Sequence, residues 1–348
     1  MLLAGAAFPA SAFAQCVTGT PAVDACTGGV RNAGPAGATL DLDFMSPGTL
    51  DPRITFTRAS TGTYFDATGM MQTAAVNAPR WDYDPATLAL QGLLIEEART
   101  NLLLNSATLS TQSVTTTSVA TTLSFYGTGT VTKSGTATGA LVGTGAAQRV
   151  SQTFTPTAGA LTLTVTGSVT NAQIEAGAFV TSYIPTAGAT ATRAADRATI
   201  PTAAWYNAAA GSLAVDFMLP TTVTPAQDMP CLYTDLSNCY FTNVFGTQQL
   251  RLLGFNANAN LGSISTAAGT VVFGQRQRFA MNYNSGSNTY KLGLNGATPL
   301  TQVAGSALPL SNQILIGVSR GTGANLYARG VQYWPRVLSD AQMQQVTA

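Results

Sequence analysis

The chain has 348 residues, a net charge of +1 and only 9% charged residues, which leaves room for two or three domains with sizeable cores but no electrostatic footprint for nucleic acid or an anionic membrane. It contains no histidine, and this removes Ser-His-Asp and Cys-His nucleophile systems, histidine general bases and zinc sites of the HExxH or Cys2His2 kind. Thr, Ala, Gly and Ser carry the surface instead, as suits a β-protein working outside the cell.

Residues 1–15 combine a short apolar run with small residues ending at Ala12-Phe13-Ala14. They read either as an export signal without a basic leading region or as an apolar arm, and they are too short to span a bilayer. No other segment reaches ~18 uninterrupted apolar residues, so no transmembrane anchor or membrane insertion is expected. Residues 16–39 are rich in Gly, Ala, Pro and Thr without periodicity and read as a linker. The cysteines form two local pairs, Cys16 with Cys26 and Cys231 with Cys239. They are short-loop disulfides if the chain matures in an oxidising compartment and thiols if it is assembled in the cytosol. From Leu40 to Phe44 the sequence alternates strictly, so Asp41 and Asp43 share one strand face. A solvated face is the preferred reading, with an acid–base pair or calcium ligation as the alternative.

Residues 40–104 are expected to form a β-rich module. Ile54 and Phe56 alternate with threonines, and residues 63–65 reach a turn at Asp66-Ala67-Thr68-Gly69 before the chain continues as a second strand. Gly92-Leu93-Leu94-Ile95 is apolar on both faces, as in a strand covered on both sides. It leads into Glu96, Glu97 and Arg99, and this stretch also holds Arg53, Arg58 and Arg80 in a chain otherwise poor in charge. Glu96, Glu97, Arg58, Arg80 and Arg99 read as a buried framework of ion pairs. Trp81-Asp82-Tyr83-Asp84-Pro85 sets aromatics beside carboxylates, the combination sugar sites use for ring stacking and hydroxyl recognition. Packing and turn formation is the preferred reading of the same residues.

At these positions the sequence resembles a known module. RASTGTYFDATG, PRWDYDP and GLLIEEARTNLLL resemble a recurrent unit of tailed-phage and prophage virion surface proteins of the tail-fibre type. IEAGAFVTSYIPTAGATATRAAD, residues 174–196, is similar to the junction that follows in them. The resemblance implies a lectin-like sandwich of the laminin-G or concanavalin A (jelly-roll) type after the junction, and it extends to the end of the chain. The closing strand and LSDAQ helix, residues 330–342, resemble the end of such domains.

The reading is therefore all-β. Residues 105–186 carry short alternating strands, clearest at Leu161, Leu163 and Val165, and form a small antiparallel sandwich. Residues 187–196 are the junction. Residues 197–348 form a larger sandwich, with alternation at Leu213, Val215 and Phe217 and at Tyr290, Leu292 and Leu294. The second run ends at Asn295-Gly296, a hairpin signal because both turn residues accept positive φ. A short helix ends the chain, with Ser339 as N-cap, Gln342 completing a capping box, and Leu338 and Met343 as a hydrophobic staple.

No E-x-D-x-E strand, G-x-S-x-G elbow or phosphate loop is present. Glu96 and Glu97 are adjacent and point to opposite faces, Glu175 is remote, and no enzymatic activity is expected. The candidate sugar contacts of the terminal block are Trp205, Tyr206, Tyr233, Tyr240, Arg251, Asn256, Asn258 and Tyr283. The resemblance implies a non-catalytic virion fibre or decoration protein that attaches to a host-surface glycan and contacts other virion subunits. Weak sites would act through avidity in a homo-oligomer. A secreted adhesin or filament subunit built from the same modules is the alternative, and a polysaccharide depolymerase the third reading. No cofactor is expected except calcium, which lectin-like sandwiches often use, although no Asp/Asn cluster has the spacing of a known calcium loop.

Overall fold

The computed structural model describes residues 34–220, 226–319 and 323–348. Alternation along Ala210–Met218 sends Leu213, Val215 and Phe217 inward, each at most 1% exposed, and Ala214 and Asp216 outward. This strand is central to an eight-stranded antiparallel sheet in the order Leu300–Val303, Thr289–Leu294, Arg276–Asn284, Ala210–Met218, Asn325–Trp334, Leu90–Glu96, Trp81–Tyr83, with Leu40–Asp43 also paired to Asn325–Trp334. A second sheet of eight strands runs Thr55–Thr57, Arg197–Pro201, Gln313–Gly317, Cys231–Asp235, Asn238–Val244, Leu250–Asn256, Ala259–Ser265, with Gln227–Asp228 at the side of Asn238–Val244. The main core lies between these sheets.

The division of the chain differs from the expected one. Residues 40–104 share their strands between both sheets of the terminal sandwich: Leu40–Asp43, Trp81–Tyr83 and Leu90–Glu96 join one, and Thr55–Thr57 joins the other. The doubly apolar run explains this, because Leu93 and Ile95 are fully buried in the main core and Leu94 is covered on the opposite side. An isolated module could not have covered both faces. Residues 105–186 are therefore an excursion from the large sandwich, with Arg99–Asn101 paired to Ala191–Arg193 at its neck.

The excursion is itself a sandwich. Gly139–Val142, Thr130–Gly135, Gly159–Thr166 and Gln112–Thr116 form one sheet; Gly145–Phe154, Thr121–Gly127 and Thr170–Ala176 form the other. Leu161, Leu163, Leu123, Phe125, Val131 and Ile174 are fully buried between them.

Asn295 and Gly296 have φ of 47° and 73°, and Ala297 N–H donates to Leu294 O at 3.0 Å. The turn is the expected one, but pairing resumes only at Leu300, so the connection is longer than a two-residue hairpin. The helix Asp340–Thr347 carries its capping box: Gln342 N–H donates to Ser339 Oγ, and Ser339 N–H donates to Gln342 Oε1. Leu338, Met343 and Val346 bury against Trp334, Ala214 and Ala280 on the outer face of the first sheet. Replacing Ser339 by alanine is expected to lower stability by about 1 kcal/mol, read from the urea midpoint; an unchanged midpoint would remove the cap from the account.

Cys231 and Cys239 are buried and not joined by a disulfide, so of the two readings of this pair the structure has the thiols. Register explains it: Cys239 lies opposite Tyr233 and Cys231 opposite Leu315, so the two sulfurs are not cross-strand partners. Cys16, Cys26, the leader and most of the linker lie outside the described residues. Among the described residues no helix is long and apolar enough to cross a membrane.

Candidate functional site

The charged residues of the central motif converge with those of the junction. Asp196 accepts from Arg58 Nη1 at 3.0 Å and Arg80 Nη2 at 2.5 Å, and Glu96 pairs with Arg80 at 2.8 Å and Arg193 at 3.0 Å. All five side chains are at most 2% exposed. Ser182 donates its N–H and its hydroxyl to Glu96, both at 2.6 Å, and Glu96 N–H donates to Asp196 at 2.9 Å. Arg58 spends its remaining donors on the carbonyls of Ser60, Ala75 and Ala78. Burial alone would raise the Glu96 carboxyl, but Arg193, Arg80 and Ser182 outweigh it and hold it at about 2. Glu97 pairs with Arg99 at 2.5 Å, whereas Arg53 forms an exposed pair with Asp51 outside this framework. A carboxylate clamped in this way is structural. It is ionised near neutral pH and so is no proton donor there.

Beside this framework, where the two sandwiches meet, lies a cleft of about 390 Å³. Tyr64 and Phe65 come from the strand Gly62–Phe65, Asp82 and Asp84 from the motif, Asn325 and Tyr327 from Asn325–Trp334, and Tyr126 and Arg149 from the small sandwich. Asp82 accepts from Phe65 N–H and the Tyr327 hydroxyl, each at 2.7 Å. Burial outweighs these bonds and pushes its carboxyl up to about 6. Asp84 instead accepts the N–H groups of Ala86 and Thr87 at 2.9 and 2.8 Å, and Thr87's backbone donor holds it below the usual carboxylate range. Packing and turn formation thus account for both aspartates, and both still line the cleft.

Four of the other sugar candidates, Trp205, Tyr206, Tyr240 and Tyr283, are brought together in the main core, away from the cleft, and the rest are scattered. Trp205, Tyr240 and Tyr283 are buried in the main core with Tyr206 packed against them; ring centroids lie 5.3 Å apart for Tyr240–Tyr283 and 6.2 Å for Tyr206–Tyr283. The Trp205 indole donates to Pro201 O, and the Tyr283 hydroxyl sits 2.7 Å from that of Tyr333. Tyr233 is buried on the outer face of the second sheet with the two cysteines. Arg251 lies over the Phe245 ring and donates to Asn243, Asn256 donates to Ala307 O, and Asn258 occupies an exposed turn at φ 66°. None of these lines the cleft. The inward phase of their strands decides this for Tyr240 and Tyr283, which serve as core residues with polar tips. No group of three or more Cys, Asp or Glu side chains able to hold a metal occurs among the described residues, so calcium finds no cluster there. Asp43 accepts from Met45 N–H and Ser46 Oγ in a turn.

Sequence reasoning missed Tyr126, Arg149, Asn325 and Tyr327. Their common signal is spatial, because they lie on strands distant in the chain.

The sequence matches no protein-family profile and no curated protein. Parts of it are similar to solved structures. The CBM40 domain of Ruminococcus gnavus IT-sialidase, bound to α2,3-sialyllactose, aligns over 41% of this chain and 84% of that one at 13% identity and a TM-score of 0.34. The binding domain of botulinum neurotoxin serotype D aligns over 43% and 39%, respectively, at 13% identity and a TM-score of 0.35. The leech intramolecular trans-sialidase aligns over 40% and 23% at 12% identity and a TM-score of 0.33. Likenesses of this size carry no inference about ligands.

Proposed function

We propose that this chain is a non-catalytic glycan-binding protein displayed on a virion surface, with the cleft between its two sandwiches as the binding site. The observation that carries the binding reading is the lining of that cleft: rings of Tyr64, Phe65, Tyr126 and Tyr327 interleaved with Asp82, Asp84, Arg149 and Asn325. Such a wall offers apolar faces to a pyranose and fixed partners to its hydroxyls. The same inventory speaks against hydrolysis. Asp82 is protonatable, but Glu96 is clamped by two arginines, Glu175 is bound to Thr181 and Gln173, and Asp84 is committed to its turn. No pair of unengaged carboxyls is left among them to act as acid and nucleophile.

The virion assignment rests on the resemblance of the RASTGTYFDATG, PRWDYDP and GLLIEEARTNLLL segments, whose arginines and Glu96 build the buried framework. Attachment to a host glycan in a homo-oligomer would let weak individual sites act through avidity.

A glycan array probed with the full chain tests the proposal. A fragment starting at residue 197 is unsuitable, because it would remove strands from both sheets of the large sandwich. Saturable binding is expected, weakened about tenfold by Tyr64→Ala as a stacking ring worth ~1.4 kcal/mol is lost. Absence of binding to any glycan, or binding indifferent to Tyr64→Ala, would overturn the cleft as the site.

A further inference from the structure

We infer that the cleft selects acidic saccharides, its Arg149 side pairing with a sugar carboxylate while its Asp82–Asp84 side receives hydroxyls. This rests on the cleft being a glycan site and adds the ligand class. Two residues that line the cleft each carry a buried donor that lacks an acceptor. Arg149 donates Nη1 to Thr181 O at 2.6 Å and Nη2 to Ser124 Oγ at 2.9 Å, but its buried Nε has no partner. Its guanidinium can hold five donors, and only these two bonds engage it. Asn325 is 2% exposed, lines the same cleft, and its Nδ2 also has no partner.

Both orphans are donors, so the missing partner is an acceptor. A neutral hydroxyl could satisfy one of them, but a guanidinium held by two neutral oxygens and no carboxylate is matched best by an anion. The backbone has made a local change to place it. Gly145–Phe154 loses register against Thr121–Gly127 between Gly145 and Val150, and Arg149 stands within that irregularity. Bulges of this kind re-aim a side chain. Tyr126, on the neighbouring strand, lines the same cleft as Arg149 and Asp82. A saccharide carrying one carboxylate and several hydroxyls fits a lining that combines a cation, rings and carboxyls. A neutral saccharide leaves Arg149 unmatched.

The experiment uses the full chain and two carboxylated probes, trigalacturonate and a sialylated trisaccharide, each against its own methyl ester by titration calorimetry. At least one free acid is expected to bind on the order of tenfold or more tightly than its ester. Arg149→Ala should abolish that difference, Arg149→Lys should retain part of it, and salt should weaken the acid alone. Thermal melting shows whether Arg149→Ala folds, and the ester comparison on the unaltered chain stands even where it does not. If esters or neutral oligosaccharides bind as well as acids and remain sensitive to Tyr64→Ala, the acidic preference is overturned while the glycan reading survives. If no saccharide binds, both fall.

Discussion

Replacing Arg80 by alanine is expected to cost on the order of 5 kcal/mol, a third or more of the ~5–15 kcal/mol by which native proteins are typically stable. Arg80 is the shared member of the buried network. It contacts Asp196 through Nη2 and Glu96 through Nη1, and also donates to Thr63 O at 2.9 Å and Ser182 Oγ at 2.8 Å. Removing one partner of a buried ion pair costs about 3–5 kcal/mol because the other charge stays buried and uncompensated. Here two carboxylates are affected together, although Arg58 and Arg193 each retain one of them. Arg53→Ala, which removes the exposed pair with Asp51, serves as the control and should change stability by less than about 1 kcal/mol. Urea unfolding of the three proteins decides the matter. A loss below about 1 kcal/mol for Arg80→Ala would show that the network does not hold the motif to the junction.

Replacing Asp82 by asparagine is expected to stabilise the protein at pH 8 by about 2 kcal/mol and to do little at pH 4. The folded Asp82 carboxyl sits at about 6 against an ordinary value of 3.8, because burial disfavours its charge. The folded state therefore holds this proton more tightly than the unfolded state. Its stabilising contribution is fully present below 3.8 and is lost as pH rises through about 6. The difference corresponds to about 3 kcal/mol above that range, reduced by any loss of acceptor quality in the amide. Asparagine can preserve the local bonds, with Oδ1 accepting from Phe65 N–H and Nδ2 donating to the Tyr327 oxygen. Glu96 runs in the opposite sense. Its carboxyl sits at about 2 against 4.5, so its contribution is present above 4.5 and lost as pH falls toward 2. Stability should therefore peak in mildly acidic solution, and Asp82→Asn should flatten the neutral limb while leaving the acid limb in place. Identical pH profiles for the two proteins would refute the burial argument.

Because a cut at residue 197 would take strands from both sheets of the large sandwich, its limits do not coincide with any contiguous stretch of sequence. Residues 40–104 are a continuous stretch of sequence, yet their strands pair with residues more than 200 positions away: Leu42 lies opposite Val331 and Leu93 opposite Ala328. A local pattern reports which faces of a strand are covered. It does not report which strand covers them, since any antiparallel neighbour of suitable length satisfies the same backbone groups.

Several features were determined by the sequence alone because their causes are local. Alternation at Leu213, Val215 and Phe217 and at Leu161 and Leu163 places those residues inward. Asn295-Gly296 supplies the positive φ its turn needs, Ser339 and Gln342 cap the helix, and the sparse charges of the motif meet as ion pairs. Tertiary structure alone decided the rest. Tyr240 and Tyr283 became core while Tyr126 and Tyr327 became cleft wall, although all four are tyrosines on strands. A tyrosine has an apolar body and a polar tip, so composition permits either fate. The choice depends on what lies across from the ring, and that is set when strands from the motif, the excursion, the junction and the last sheet strand close around one cleft.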